Sequence, residues 1–93
     1  NPDPTAEDEA VIRVFARDDG SILSIERFMK DGTGRNFGAD TSALMAHLRE
    51  ASAEAKRDGV ELKVKFEYAP SLNYQYVVKT IDEARRAGFT KVA

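Results

Sequence analysis

Three places in this chain combine residue types that can do chemistry. Gly32-x-Gly34 with Gly38, just ahead of a helical pattern, has the outline of a phosphate-cradling loop. A nucleotide fingerprint, however, needs G-x-G-x-x-G directly after a buried strand, or a Lys-Ser/Thr pair after its last glycine, so that N–H groups and a lysine converge on the phosphates. Here Gly38 is followed by Ala39-Asp40, whose charge repels phosphate, and an ordinary loop is the better reading. Asp18, Asp19 and Glu26 invite a calcium reading, but they lack the alternating ligand spacing of an EF-hand loop and no acidic twelfth position follows. A turn accounts for them. His47 is the lone histidine, flanked by Met45, Ala46 and Leu48, with no Ser, Cys or carboxylate placed as a catalytic partner. It reads as a boundary residue of a helix rather than a ligand or a base.

Composition narrows the classes further. The chain has no cysteine, which excludes a disulfide framework and a thiolate metal site, and with one histidine few zinc ligands remain. No metal and no cofactor is called for. Fourteen Lys and Arg against 16 Asp and Glu give a net charge of −2, too weak a field to draw in nucleic acid or anionic lipid. Ninety-three residues at 42% hydrophobic content enclose one modest core, hence one domain. No apolar run approaches the roughly 18 to 20 residues of a membrane crossing, and no signal peptide is present. Because the chain begins at Asn1 rather than Met and ends at Val92-Ala93 as a strand pattern opens, the natural polypeptide is expected to extend beyond it.

The positioning elements follow from periodicity. Asn1 to Ala10 carries two prolines, four acidic side chains and almost no apolar surface, and reads as a flexible linker ahead of a domain over residues 11–93. Val11 to Ala16 and Ile22 to Phe28 flank Asp18-Asp19-Gly20-Ser21, a hairpin whose Asp19-Gly20 fits a two-residue turn with positive φ at both positions. That turn puts Ala16 opposite Leu23, Val14 opposite Ile25 and Ile12 opposite Arg27 on one face. On the other it pairs Phe15 with Ser24, Arg13 with Glu26 and Val11 with Phe28. Met29 to Asp40 is polar and glycine-rich and reads as a long loop.

A helix follows, capped by Asp40, Thr41 or Ser42, with Leu44, Leu48, Ala51 and Ala55 as its stripe, Lys56 and Arg57 at its negative end and Gly59 as its stop. Val60, Leu62, Val64 and Phe66 alternate with Glu61, Lys63, Lys65 and Glu67, a strand with one face buried and one in water. Pro70 blocks its continuation, and a second helix from about Asn73 turns Tyr74, Val77, Val78, Ile81 and Ala84 inward before Gly88 ends it. Strand, helix and strand in succession put Val60 to Glu67 parallel to Thr90 to Ala93 in one sheet. The expected fold is α+β, a two-layer ββαβαβ sandwich with a mixed sheet and both helices on one face.

That helical stripe leaves Tyr76 off-face beside Thr80 and Glu83, with Tyr68 just past the end of the strand. Exposed tyrosines enrich recognition surfaces, because they add area with little entropy loss and carry a polar tip. Tyr68, Asn73, Tyr76 and, on the outer sheet face, Phe15 are the candidate partner-surface residues. Val11 and Phe28 beside Lys63 and Lys65 extend the outer face.

From about Val11 to Ala93 the chain resembles the periplasmic domain of the ExbD/TolR family of biopolymer transport proteins. The likeness is densest from Glu61 to Glu67 through Pro70, Tyr74, Val77-Val78, Ile81-Asp82 and Ala84-Arg85 to Ala87-Gly88-Phe89-Thr90-Lys91-Val92. The Gly88-Phe89 helix stop before Lys91-Val92 is its most specific part. Members commonly have Ala-Asp after the strand and Pro-Tyr opening the helix, where this chain has Tyr68-Ala69 and Asn73-Tyr74, and its loop from Met29 to Asp40 is longer than usual. The resemblance implies a non-catalytic interaction and dimerisation domain on the periplasmic side of a bacterial inner membrane, in a proton-motive-force-driven complex. Implied partners are a second copy, an ExbB/TolQ-like proton-channel subunit met through a membrane helix, and either a TonB/TolA-like protein or peptidoglycan. The family's proton-carrying aspartate lies in that membrane helix, so no acidic residue here inherits its role. The alternative is a small-ligand-binding or enzyme-accessory domain, with Gly32 to Asp40 as a lid near Tyr68 and Tyr76.

Overall fold

The hairpin forms in the register that its side chains demand. In the computed structural model, which describes residues 6–29, 31–90 and 92–93, β1 (Ala6–Ala16) and β2 (Ile22–Phe28) pair antiparallel from Val11↔Phe28 to Phe15↔Ser24. The turn itself differs from the expected one. Only Gly20 has positive φ, at 86°; Gly20 N–H donates to the Arg17 carbonyl at 2.9 Å and Arg17 N–H to the Ser21 carbonyl at 2.8 Å. This is a three-residue loop with glycine in the left-handed position. The Asp19 carboxylate accepts from Ser21 N–H at 2.9 Å and from its hydroxyl at 2.6 Å. The bulge so formed pairs Ala16 with Ile22 instead of Leu23, which buries Ile22 and leaves Leu23 51% exposed.

The same device recurs in the stretch expected to be loop. Met29 N–H donates to Thr33 O, Gly32 N–H to Met29 O, and the Asp31 carboxylate accepts from both Thr33 N–H and its hydroxyl. Asp31-Gly32-Thr33 thereby folds a short strand β3 (Gly34–Asn36) back antiparallel onto β2, from Phe28↔Gly34 to Glu26↔Asn36. Hydrogen bonds from the hydroxyls of Ser21 and Thr33 hold the Asp19 and Asp31 carboxyls below the usual carboxylate range.

The expected linker over Asn1 to Ala10 is also corrected. β1 already begins at Ala6 and runs parallel to β4 (Val60–Tyr68), from Ala6↔Val60 to Val14↔Tyr68, and Ala10 is fully buried. Pairing with a strand far along the chain satisfies the backbone of an acidic stretch whose side chains offer little burial. The first five residues of that linker lie outside the described residues. The sheet order is β3-β2-β1-β4, mixed in sense. Beyond β4, Val92 makes one parallel bridge to Val64, with Ala93 N–H donating to Val64 O at 3.0 Å and Phe66 N–H to Ala93 O at 2.9 Å. The expected last strand is present as this bridge, and Lys91 lies outside the described residues.

α1 (Thr41–Arg57) is capped as its sequence predicts: the Asp40 carboxylate accepts from Ala43 N–H at 3.1 Å, and Gly59 turns away with φ 74°. α2 (Tyr74–Arg86) ends on a Schellman motif, Phe89 N–H to Ala84 O at 3.1 Å and Gly88 N–H to Arg85 O at 3.0 Å, which drives Phe89 into the core. Both helices lie on the inner face of the sheet, where Ile12, Val14, Ile25, Val64 and Phe66 meet Leu44, Leu48 and Ala84. The α+β class is as expected. No helix among the described residues is long and apolar enough to cross a membrane.

The inward face of α2 is rotated from the expected one. Thr80 and Ala84 are fully buried and Tyr76 packs on the core, whereas Tyr74 is 76% exposed and Val78 points outward. A stripe chosen by hydrophobicity alone overlooks a threonine whose hydroxyl is satisfied in place.

Candidate functional site

Three surfaces carry the residues of interest. Among the described residues no layer covers the outer sheet face. Phe15 and Phe28 are 36% and 38% exposed there, and the Arg13 guanidinium sits 4.4 Å from the Phe28 ring centroid. Arg13 Nε also donates to Glu67 Oε1 at 2.7 Å, and Lys65 Nζ lies 3.9 Å from Glu67 Oε2. The hydrogen bond from Arg13 keeps the Glu67 carboxyl below its usual range. Phe15 is therefore where the sequence places it, on a face that mixes apolar rings with paired charges. At one side of this face runs the outer edge of β4, which among the described residues Val92 and Ala93 cover around Val64 and Phe66. An opening of about 450 Å³ lies beside that edge, lined by Val60, Leu62, Gly88 and Phe89 among others.

Tyr68, Asn73 and Tyr76 gather at the opposite end of β4, but not as a free patch. The Tyr68 hydroxyl lies 2.6 Å from Thr80 Oγ1, which is itself 3.0 Å from the carbonyls of Tyr76 and Val77. Thr80 has one proton and those carbonyls only accept, so Thr80 donates to the backbone and Tyr68 donates to Thr80. Burial raises the pKa of the Tyr68 phenol. Asn73 N–H donates to Gly20 O at 2.9 Å and docks the hairpin tip on the start of α2. Tyr68 and Tyr76 are thus partly buried, Asn73 is exposed, and the exposed tyrosine is Tyr74. Thr80→Val keeps the shape and strands a half-buried hydroxyl, so it lowers unfolding free energy by about 1–2 kcal/mol. Adding Tyr68→Phe returns part of that loss, as a two-by-two set of urea unfolding curves measures. Nor are the loop from Gly32 to Asp40 and these tyrosines neighbours: β2 and β1 stand between β3 and β4.

The third surface was hidden in the sequence. His47 on α1 has a guanidinium at each ring nitrogen: Arg27 Nη1 is 2.8 Å from Nε2 and Arg35 Nη1 is 3.2 Å from Nδ1. Phe37 packs its ring against the imidazole, centroids 5.2 Å apart, and Arg35 lies over Phe37 at 5.3 Å. Arg27 Nε is buried without a hydrogen-bond partner. Arg27 is a charge at an inward-facing position of the hairpin, opposite Ile12, and that was the available signal; Arg35 sits in a strand that reads as loop.

Burial first, then the positive charges of Arg27 and Arg35, lower the His47 pKa from 6.5, while Glu50 and Glu54 oppose them. Between that lowered value and 6.5 the unfolded chain binds more protons than the folded one. This contribution therefore favours folding above the window and is lost as pH falls through it. His47→Gln flattens the stability profile there, which chemical denaturation at a series of pH values reads out.

Compared with known proteins, the chain matches no family model, no curated protein sequence and no solved structure.

Proposed function

We propose that this chain is a non-catalytic interaction and dimerisation domain of a proton-motive-force-driven complex of the ExbD/TolR type, held on the periplasmic side of a bacterial inner membrane. The observation that carries the interaction role is the sheet: among the described residues helices cover one face only, and the β4 edge is occupied only at Val64 and Phe66. An open edge offers backbone donors and acceptors already set at strand spacing, so a second strand adds there with little reorganisation. The bare face beside it, with Phe15 and Phe28, adds apolar area next to charges. The family assignment rests on the run from Glu61 to Val92 and its Gly88-Phe89 helix stop.

The proposed complex works by pairing two such domains outside the membrane, where they hold a TonB/TolA-like protein or peptidoglycan while a membrane helix meets an ExbB/TolQ-like channel subunit. The coding sequence upstream of Asn1 tests the assignment. A single apolar run of about 20 residues containing an aspartate supports it; a globular domain in that place overturns it. For the interaction role, sedimentation equilibrium of the membrane-anchored protein in detergent is expected to give a dimer, and a strictly monomeric protein removes that role.

A further inference from the structure

We propose that Arg35 and His47, where β3 meets α1, form a binding site for a small oxyanion, a carboxylate or a phosphate, one oxygen of which bridges the Arg35 guanidinium and His47 Nδ1. The inference goes beyond the dimerisation role and does not depend on it.

The reasoning begins with the tautomer. A guanidinium has no acceptor, so the 2.8 Å contact from Arg27 Nη1 requires that His47 Nε2 carry the lone pair. The proton of a neutral imidazole is then on Nδ1. That N–H faces Arg35 Nη1 at 3.2 Å, and Arg35 can only donate as well. Two donors thus converge on one exposed spot with no acceptor between them. A shared acceptor resolves this opposition, and one that carries negative charge gains a charge-assisted bond from Arg35.

The surroundings favour the same class of ligand. Among the described residues Arg35 meets no carboxylate, only His47 and the Phe37 ring. Arg27, directly opposite Arg35 in the sheet, adds a second positive charge, and its buried Nε lacks an acceptor, so donors outnumber acceptors throughout the cluster. Negative groups are present but engaged differently: Asp8 on β1 acts on Arg27, and Glu50 and Glu54 on α1 act on His47 without an ion pair to either arginine. Arg35 on Phe37, and Phe37 on His47, hold the two donor groups in place before any ligand arrives.

Nitrogen NMR of the imidazole provides the test, since one histidine gives one set of ring signals. Above its titration range, His47 is expected as the Nδ1–H tautomer. Inorganic phosphate in one arm and acetate in the other, each at ionic strength held constant with chloride, are expected to shift Nδ1 saturably and raise the His47 pKa. The arm that saturates at lower concentration names the headgroup. Arg35→Met keeps the stem over Phe37 while removing the donors, and is expected to weaken the response about tenfold. Lys65→Met, on the opposite sheet face, leaves it unchanged. An Nε2–H tautomer, shifts equal to those from chloride alone, or an undiminished response in Arg35→Met overturns the site.

Discussion

Replacing Leu48 with alanine lowers the free energy of unfolding by about 3 kcal/mol. Leu48 is fully buried between the two layers, with Leu44 beside it on the same helix and Val14, Ile25 and Val64 in the same cluster. Truncation removes several buried carbons and leaves a cavity that the sheet cannot close, because its side chains are held by pairing on both sides of β1. In a domain of this size total stability is about 5–14 kcal/mol, so the loss is a large share. Leu23→Ala is the matching control. Leu23 is half in water beyond the hairpin bulge, and its truncation changes stability by less than about 0.5 kcal/mol. Urea unfolding midpoints of the two variants separate these values; similar losses at both positions would mean that the inner face is misassigned.

Gly20→Ala is expected to lower stability by about 2 kcal/mol, through two effects that a second glycine resolves. At φ 86° an alanine is strained wherever it stands. Its Cβ would also collide with the Asn73 side-chain amide, at the point where Asn73 N–H bonds the Gly20 carbonyl. Gly32 occupies the same position of the same kind of turn, at φ 89°, and among the described residues nothing lies within 4 Å of a Cβ there. Gly32→Ala therefore shows the backbone strain alone, about 1 kcal/mol, and the difference between the two variants is the docking of the hairpin tip on α2. In Gly20→Ala/Asn73→Ala the obstructing amide is gone while the backbone bond remains, and part of the loss returns. Equal effects at Gly20 and Gly32 in thermal or urea unfolding would refute the docking contact.

The candidate site was legible unevenly. Phe15 could be placed on the outer sheet face because hairpin parity assigns every side chain once the turn is located, and a bulge at Ala16 disturbs only the last pair. For Tyr68 and Tyr76 the choice between surface and interior turned on the rotation of α2, which depends on Thr80 finding Tyr68 across the layer. Hydrophobic periodicity does not register a buried hydroxyl with partners. The oxyanion cluster was out of reach for a different reason. Its three members come from β2, β3 and α1, and β3 was read as loop because three residues flanked by glycine carry no periodicity. The repeat of Asp19-Gly20-Ser21 as Asp31-Gly32-Thr33 was the one local clue to that strand.

What the sequence by itself determined is whatever depends on near neighbours along the chain. The place of the Asp-Gly turn, though not its type, the Asp40 cap, the alternation from Val60 to Phe66 and the Gly88-Phe89 stop each involve groups a few residues apart, and each formed as local propensity dictates. Tertiary structure alone decided the rest: that Ala6 to Ala10 is ordered by β4, that α2 turns Thr80 rather than Tyr74 to the core, and that two arginines converge on His47. In these cases the partner lies on a different element, and the deciding energy is a hydrogen bond or a burial that exists only after the layers have closed.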